Sequence, residues 1–107
     1  MKYLHYRLNL KAKDAVEVTL DKQANVCLLD TTNFNKYKKG DSFRYLGGLQ
    51  RVSPFLIRPS RAGLWHLVID LGGHAGSVRA SVRIIKGWAN TKPHQVRDAE
   101  LVEPSVG

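Results

Sequence analysis

Leu64-Trp65-His66-Leu67-Val68-Ile69-Asp70-Leu71 and, six residues later, Val78-Arg79-Ala80-Ser81-Val82-Arg83-Ile84-Ile85 decide the fold. The first run is the most apolar in the chain and has the length of a strand buried on both faces. The second alternates cleanly, with Val78, Ala80, Val82 and Ile84 on one side and Arg79, Ser81 and Arg83 on the other, as a strand with one wet face requires. Joined by Gly72-Gly73-His74-Ala75-Gly76-Ser77, the two read as an antiparallel hairpin. Leu71 then faces Val78, Ile69 faces Ala80, Leu67 faces Val82 and Trp65 faces Ile84. The other face pairs Asp70 with Arg79, Val68 with Ser81 and His66 with Arg83. An opposite-charge pair of this kind contributes roughly 0.2–1 kcal/mol, and a slip by one residue sets apolar side chains against charges.

The same period of two runs outward from this segment. Leu4, Tyr6 and Leu8 oppose Tyr3, His5 and Arg7; Val16, Val18 and Leu20 oppose Ala15, Glu17 and Thr19; Val26 and Leu28 oppose Cys27 and Leu29. Asp30-Thr31-Thr32-Asn33 bears side chains that bond local backbone and so predicts a turn. Residues 33–40 read as a Lys-rich loop or one short helical turn ended by Gly40. A strand is expected from Ser42 to Leu46, before a break at Gly47-Gly48. Residues 52–58, with Pro54 within and Pro59 after, read as an edge strand, because proline gives the ladder no donor. No long segment has a helical period. The expectation is an all-β fold, an antiparallel β-sandwich of about seven short strands over residues 1–85. Residues 86–107 lack alternation and read as a C-terminal appendage, compatible with a short helix from Gln95 to Val102 and anchored by Trp88.

The chain has 107 residues, 17 Lys plus Arg against 9 Asp plus Glu, and a net charge of +8. With 43% hydrophobic and 24% charged residues the composition is globular, and the length suits one domain. One cysteine, Cys27, excludes an internal disulfide and any zinc site built on several thiolates. Charges interrupt the N-terminal apolar residues before a signal-peptide core forms, and no run approaches the ~20 apolar residues of a membrane-spanning helix. A soluble, cytoplasmic protein is the expectation.

The charge is concentrated. Residues 36–61 carry Lys36, Lys38, Lys39, Arg44, Arg51, Arg58 and Arg61 against Asp41 alone, with Phe34, Tyr37, Phe43, Tyr45 and Phe55 in and beside them. Such a mixture could follow a phosphate backbone and stack bases, yet loops and edge strands are also where solvated lysine and arginine belong. No RNA-recognition signature, basic zipper or zinc-finger spacing is present.

Catalytic constellations fare poorly. The glycine-rich segment 72–76 lacks the P-loop Lys-Ser/Thr pair and joins strands, so its glycines suit a turn with positive φ. His5, His66, His74 and His94 are scattered, with no helical metal-site spacing, and His66 stands about 13 Å along a strand from Asp70. His66 reads as a surface histidine beside Arg83, and Cys27 as a small buried hydrophobe. Asp30 and Asp41 sit where turn residues are expected. Neither a cofactor nor a metal is implied, and the chain is expected not to be an enzyme.

Val26 to Gly40, Arg44-Tyr45-Leu46-Gly47-Gly48, Ser53-Pro54, the segment Gly63 to Gly73 and then Gly76 to Arg83 together resemble a bacterial family of small uncharacterised domains. The likeness spans residues 3–85. It implies a β-sandwich, found alone or joined to TIR signalling domains, and it brings no activity or catalytic residue. The expected function is a noncatalytic module that binds another macromolecule, most naturally a protein. The candidate surface combines Lys36, Lys38, Lys39 and Arg44 with the hairpin face of His66, Asp70, Arg79 and Arg83. Nucleic-acid binding through residues 36–61 is the alternative, and sugar binding would need coplanar exposed rings among Tyr3, Tyr37, Tyr45 and Trp88.

Overall fold

A computed structural model describes residues 2–88. Seven strands and one helix follow in the order β1 (Tyr3–Leu10), β2 (Ala15–Leu20), β3 (Ala24–Leu29), α1 (Thr31–Lys39), β4 (Leu46–Gln50), β5 (Phe55–Ile57), β6 (Gly63–Asp70) and β7 (Ala80–Ile85). Two antiparallel sheets pack face to face, one ordered β1-β6-β3-β4 and the other β5-β2-β7. This is the expected all-β sandwich. Alternation places Val16 and Val18 from one sheet against Val26, Leu28, Leu67 and Ile69 from the other, all essentially fully buried. Each buried aliphatic side chain of this kind contributes roughly 1.5–3 kcal/mol.

The expected β6–β7 hairpin does not form. β6 pairs with β1 and β3, whereas β7 pairs with β2 in the opposite sheet. Residues 71–79 therefore carry the chain from one layer to the other, with positive φ at Gly72, Gly73 and Gly76. The faces of β7 follow its alternation, since Ala80 and Val82 stand opposite Leu20 and Val18. A two-residue period fixes which side chains point inward but leaves open which sheet supplies the neighbour. Arg83, expected opposite His66, meets instead Glu17, its register partner on β2, at 2.8 Å.

The segment 33–40 is neither loop nor single turn but part of a nine-residue helix. Asp30 caps it, with Oδ1 accepting from the Asn33 backbone N–H at 2.8 Å, the bond an N-cap side chain exists to make. At the other end Gly40 has φ 80°, its N–H meets the Tyr37 carbonyl, and the Asp41 N–H reaches the Lys36 carbonyl. These two bonds form a Schellman cap, and Lys36, Lys38 and Lys39 in the last turn suit the negative end of the helix dipole. Only Phe34 is buried from the helix, with Tyr37 half-buried one turn on. Two apolar positions are too few to show a helical period.

The strand expected at 42–46 lies instead at Leu46–Gln50, and Gly47 and Gly48 stand inside it rather than break it. β5 occupies the edge of its sheet, as the flanking prolines required. After β7 the chain is pinned at the β1–β2 turn. Buried Asp14 accepts from the Lys11 and Gly87 backbone N–H groups at 2.9 and 3.0 Å and lies 3.6 Å from Lys86 Nζ. Trp88 sits beneath the Arg58 guanidinium, 5.4 Å from its ring centre. The helix expected at 95–102 lies outside the described residues.

Candidate functional site

α1 lies across the outer face of the four-stranded sheet. There, alternation on β6 turns His66, Val68 and Asp70 away from the sandwich core and toward the helix. Val68 joins Cys27, Leu29 and Phe34 in a second, smaller apolar cluster, with Tyr37 and Phe43 against it. His66 is 5% exposed and Asp70 6%, so the expectation of a surface histidine beside Arg83 is wrong. A helix that the strand's own pattern cannot reveal covers both.

Each buried polar side chain is satisfied, as burial demands. Asp70 accepts from the Tyr37 hydroxyl at 2.7 Å, from Asn25 Nδ2 at 3.0 Å and from the Gly72 backbone N–H at 2.8 Å. Burial and the neighbouring carboxylate push the Tyr37 hydroxyl well above its usual range. Burial, with Asp70 adding to it, raises the Cys27 thiol to about 11, so Cys27 is the inert hydrophobe that its strand implied.

His66 Nδ1 lies 2.8 Å from His5 Nε2, and His66 Nε2 lies 3.0 Å from Thr31 Oγ1. The imidazole centres are 5.0 Å apart with planes 21° from parallel, the spacing of two rings joined edge to edge by one hydrogen bond. Phe34 roofs both, 4.2 Å from His5 and 4.4 Å from His66, and Lys38 Nζ lies 4.8 Å over the Phe34 ring. β1, β6 and α1 are thereby joined at one point.

Both imidazoles resist protonation. Desolvation lowers His5 first, with Arg7 and Lys38 adding repulsion. Desolvation also leads for His66, followed by repulsion from His5, Arg7 and Lys38, against a smaller opposing pull from Asp30. In the unfolded chain these histidines protonate near their ordinary value of about 6.5. Below that pH the unfolded state binds more protons than the folded one, so stability rises with pH there. The contribution is complete above about pH 6.5 and is lost as pH falls through the folded values. Chemical-denaturation midpoints are expected to drop between about pH 7.5 and about pH 5, with a shallower drop in His66→Gln. A flat wild-type profile over that range contradicts this reading. Asp14 and Asp30, lowered chiefly by backbone N–H donors, add their own loss only in the more acidic carboxylate range.

Outside this buried layer, the nominated surface divides. Lys36, Lys38 and Lys39 project from α1, and Arg44 follows in the loop held to the helix by its N–H bond to Asn33 Oδ1 at 2.8 Å. Arg79 and Arg83 are exposed but belong to the other layer. Arg83 is bonded to Glu17, and the Arg79 backbone N–H is bonded to Asp21. His66 and Asp70 are interior. The four-residue hairpin face therefore does not exist as one surface.

The sequence offers the rings of the α1 face as candidates, but not their mutual contact, and it does not single out Leu49. Tyr3, Tyr37, Phe43 and Tyr45 form a chain of rings at centroid spacings of 5.3, 5.4 and 5.5 Å, running from the β1 edge under the helix to β4. Tyr45 is 51% exposed and Leu49 49%, and both fall on the outward parity of β4, where Leu49 pairs with Asn25. Successive planes meet at 82°, 90° and 47°, which gives a sugar ring no coplanar platform. Ion pairs among the described residues are Arg61–Asp30, Arg83–Glu17 and Lys86–Asp14. Lys36, Lys38, Lys39 and Arg44 belong to none of them.

The family model for the domain of unknown function DUF1883 matches residues 1–87. The chain belongs to that family. The match covers both sheets and α1, and it agrees in extent with the likeness seen from residue 3 to residue 85. No curated protein and no solved structure is detectably similar. The DUF1883 assignment brings no ligand or catalytic residue. Among the described residues, no group of three or more His, Cys, Asp or Glu side chains is placed to hold a metal ion, and no helix is long and apolar enough to cross a membrane.

Proposed function

We propose that this domain is a noncatalytic interaction module, acting in the cytoplasm, whose α1–β4 face binds a protein partner. The observation that carries the reading is the ring chain Tyr37–Phe43–Tyr45, which leads from the Lys-rich helix past Arg44 to half-exposed Tyr45, with four cations along it that have no ion-pair partner among the described residues. Half-exposed Leu49 shares the outward parity of Tyr45. Exposed aromatics with basic residues at the margin are the usual anatomy of a protein-binding patch. The partner should present an apolar side chain flanked by carboxylates. The groups best suited to acid–base chemistry, His66 and Asp70, are covered and fully hydrogen-bonded, which supports a binding role over a catalytic one. The association with TIR signalling domains implied by the sequence likeness is compatible with such a module and adds no residue to it.

The test compares capture from the native host by the wild-type domain, by Lys36→Glu/Lys39→Glu, by Tyr45→Ala and by Arg83→Glu. The substituted positions are exposed, and unchanged circular dichroism checks the fold. A partner retained by wild type and Arg83→Glu but lost from the other two supports the reading. A partner lost only with Arg83→Glu, or a fluorescent oligonucleotide bound with a steep salt dependence that Lys36→Glu/Lys39→Glu abolishes, overturns it, the latter in favour of nucleic acid.

A further inference from the structure

A second site lies at the end of the sandwich opposite the one where β7 finishes. Here β1 begins and β6 ends, with Tyr3 facing Asp70, while β2 ends and β7 begins, with Leu20 facing Ala80. The crossing segment 71–79 bridges the two layers and leaves an open cleft of about 850 Å³ beside it, a volume in the range of small-molecule sites. Leu4, Ile69, Leu71 and Val78 line the cleft and are continuous with the main core. Its apolar floor is thus the open end of the interior.

The rim carries two lysines. Lys2 lines the cleft, and Lys22 Nζ approaches Gly76 so closely that a Cβ there would lie 4.0 Å from it. Asp70 also lines the cleft, but both its carboxylate oxygens are engaged, accepting hydrogen bonds from Asn25, Tyr37 and Gly72, and nearby Asp21 accepts from the Arg79 N–H. At Gly73 a Cβ would meet nothing within 4 Å, so its φ of 86° rather than crowding favours glycine, and the mouth stays free of side chains there. We infer that this cleft binds an amphipathic carboxylate, with its apolar chain against Leu4, Ile69, Leu71 and Val78 and its acid between Lys2 and Lys22. The inference does not rest on the reading of the α1–β4 face, although Tyr3 both lines the cleft and begins the ring chain under α1.

The test is a titration of the isotope-labelled chain with decanoate, kept below its micelle concentration and followed by amide chemical shifts. Saturable shifts are expected at residues 2–4 and 71–78. Lys2→Glu/Lys22→Glu, both at exposed positions, should weaken binding about tenfold or more, since it removes the charge-assisted contacts to the acid. Decanol, which keeps the chain and lacks the charge, should bind more weakly by a similar factor. Val78→Trp, which fills the cleft from its edge, should abolish the shifts while the remaining β-strand resonances stay in place. Absence of saturable shifts, shifts confined to α1 and β4, or equal affinity in the charge-reversed chain overturns the inference.

Discussion

Asp70→Ala is expected to destabilise the domain by about 2–4 kcal/mol, because one truncation strands three donors from three elements. The Tyr37 hydroxyl, the Asn25 amide and the Gly72 N–H all converge on this carboxylate, and hydrogen bonds to a charged group contribute roughly 1.5–3 kcal/mol each without adding in full. Tyr37 is the side chain that ties the last turns of α1 to β6, so the helix should loosen first. Asp70→Asn is the informative companion. Its carbonyl oxygen still accepts from Asn25 and Gly72, and its amide can donate to the Tyr37 oxygen, so the cost should fall to about 1 kcal/mol. Urea denaturation of the three proteins measures both. Equal losses for alanine and asparagine would mean that the carboxylate's charge, not the bonding pattern, is what α1 depends on.

Gly47→Ala is expected to cost at least about 3 kcal/mol, through backbone strain of about 1–3 kcal/mol and a collision with backbone that only a shift of the whole strand relieves. Gly47 has φ 108°, a conformation that alanine rarely adopts. A Cβ at this position would also be driven into the Val26 backbone carbonyl oxygen, on the strand to which β4 is bonded. Relief requires β4 to pull away from β3, which withdraws Leu46 from the core and displaces Tyr45 and Leu49 together. The substitution should therefore shift the denaturation midpoint and speed amide hydrogen exchange along 46–50, while β2 and β7 exchange as before. Gly40→Ala makes the comparison: it too has positive φ, but a Cβ there meets nothing within 4 Å, so the loss should stay near 1 kcal/mol. If the two losses match, the close approach to Val26 contributes nothing.

Much of the architecture is legible in the chain because alternation reports burial directly. The uninterrupted run from Leu64 marks β6 as interior to its sheet, Val16-Val18-Leu20 mark β2, and the prolines around Phe55–Ile57 mark an edge. What alternation cannot encode is partnership between distant strands. Asp70 and Arg79 look like a pair because they are close in sequence, but the chain between them changes layers, and Glu17 meets Arg83 instead. α1 left a fainter trace, an Asp30 cap, a terminal Gly40 and three lysines in the last turn, signals that together mark a helix even without an apolar stripe. Misreading it concealed the buried layer, since the burial of His66 and its contact with His5 depend on α1 covering a face that β6 alone would leave wet. The cluster of Lys36, Lys38, Lys39 and Arg44 is legible because local charge density needs no tertiary knowledge. Tyr45 is legible as a ring beside those charges, but Leu49 is not, because it belongs to a strand at Leu46–Gln50 rather than at 42–46.

The claim on which the functional account turns is that the molecule meets its partner through the α1–β4 side and not through the opposite layer. Site-specific photo-crosslinking in the native host measures this directly, with a photoreactive phenylalanine analogue in place of Tyr45 in one protein and in place of Arg83 in another. A discrete protein adduct is expected from position 45 and none from position 83. Adducts from 83 alone, equal adducts from both positions, or an adduct to nucleic acid from position 45 would contradict it.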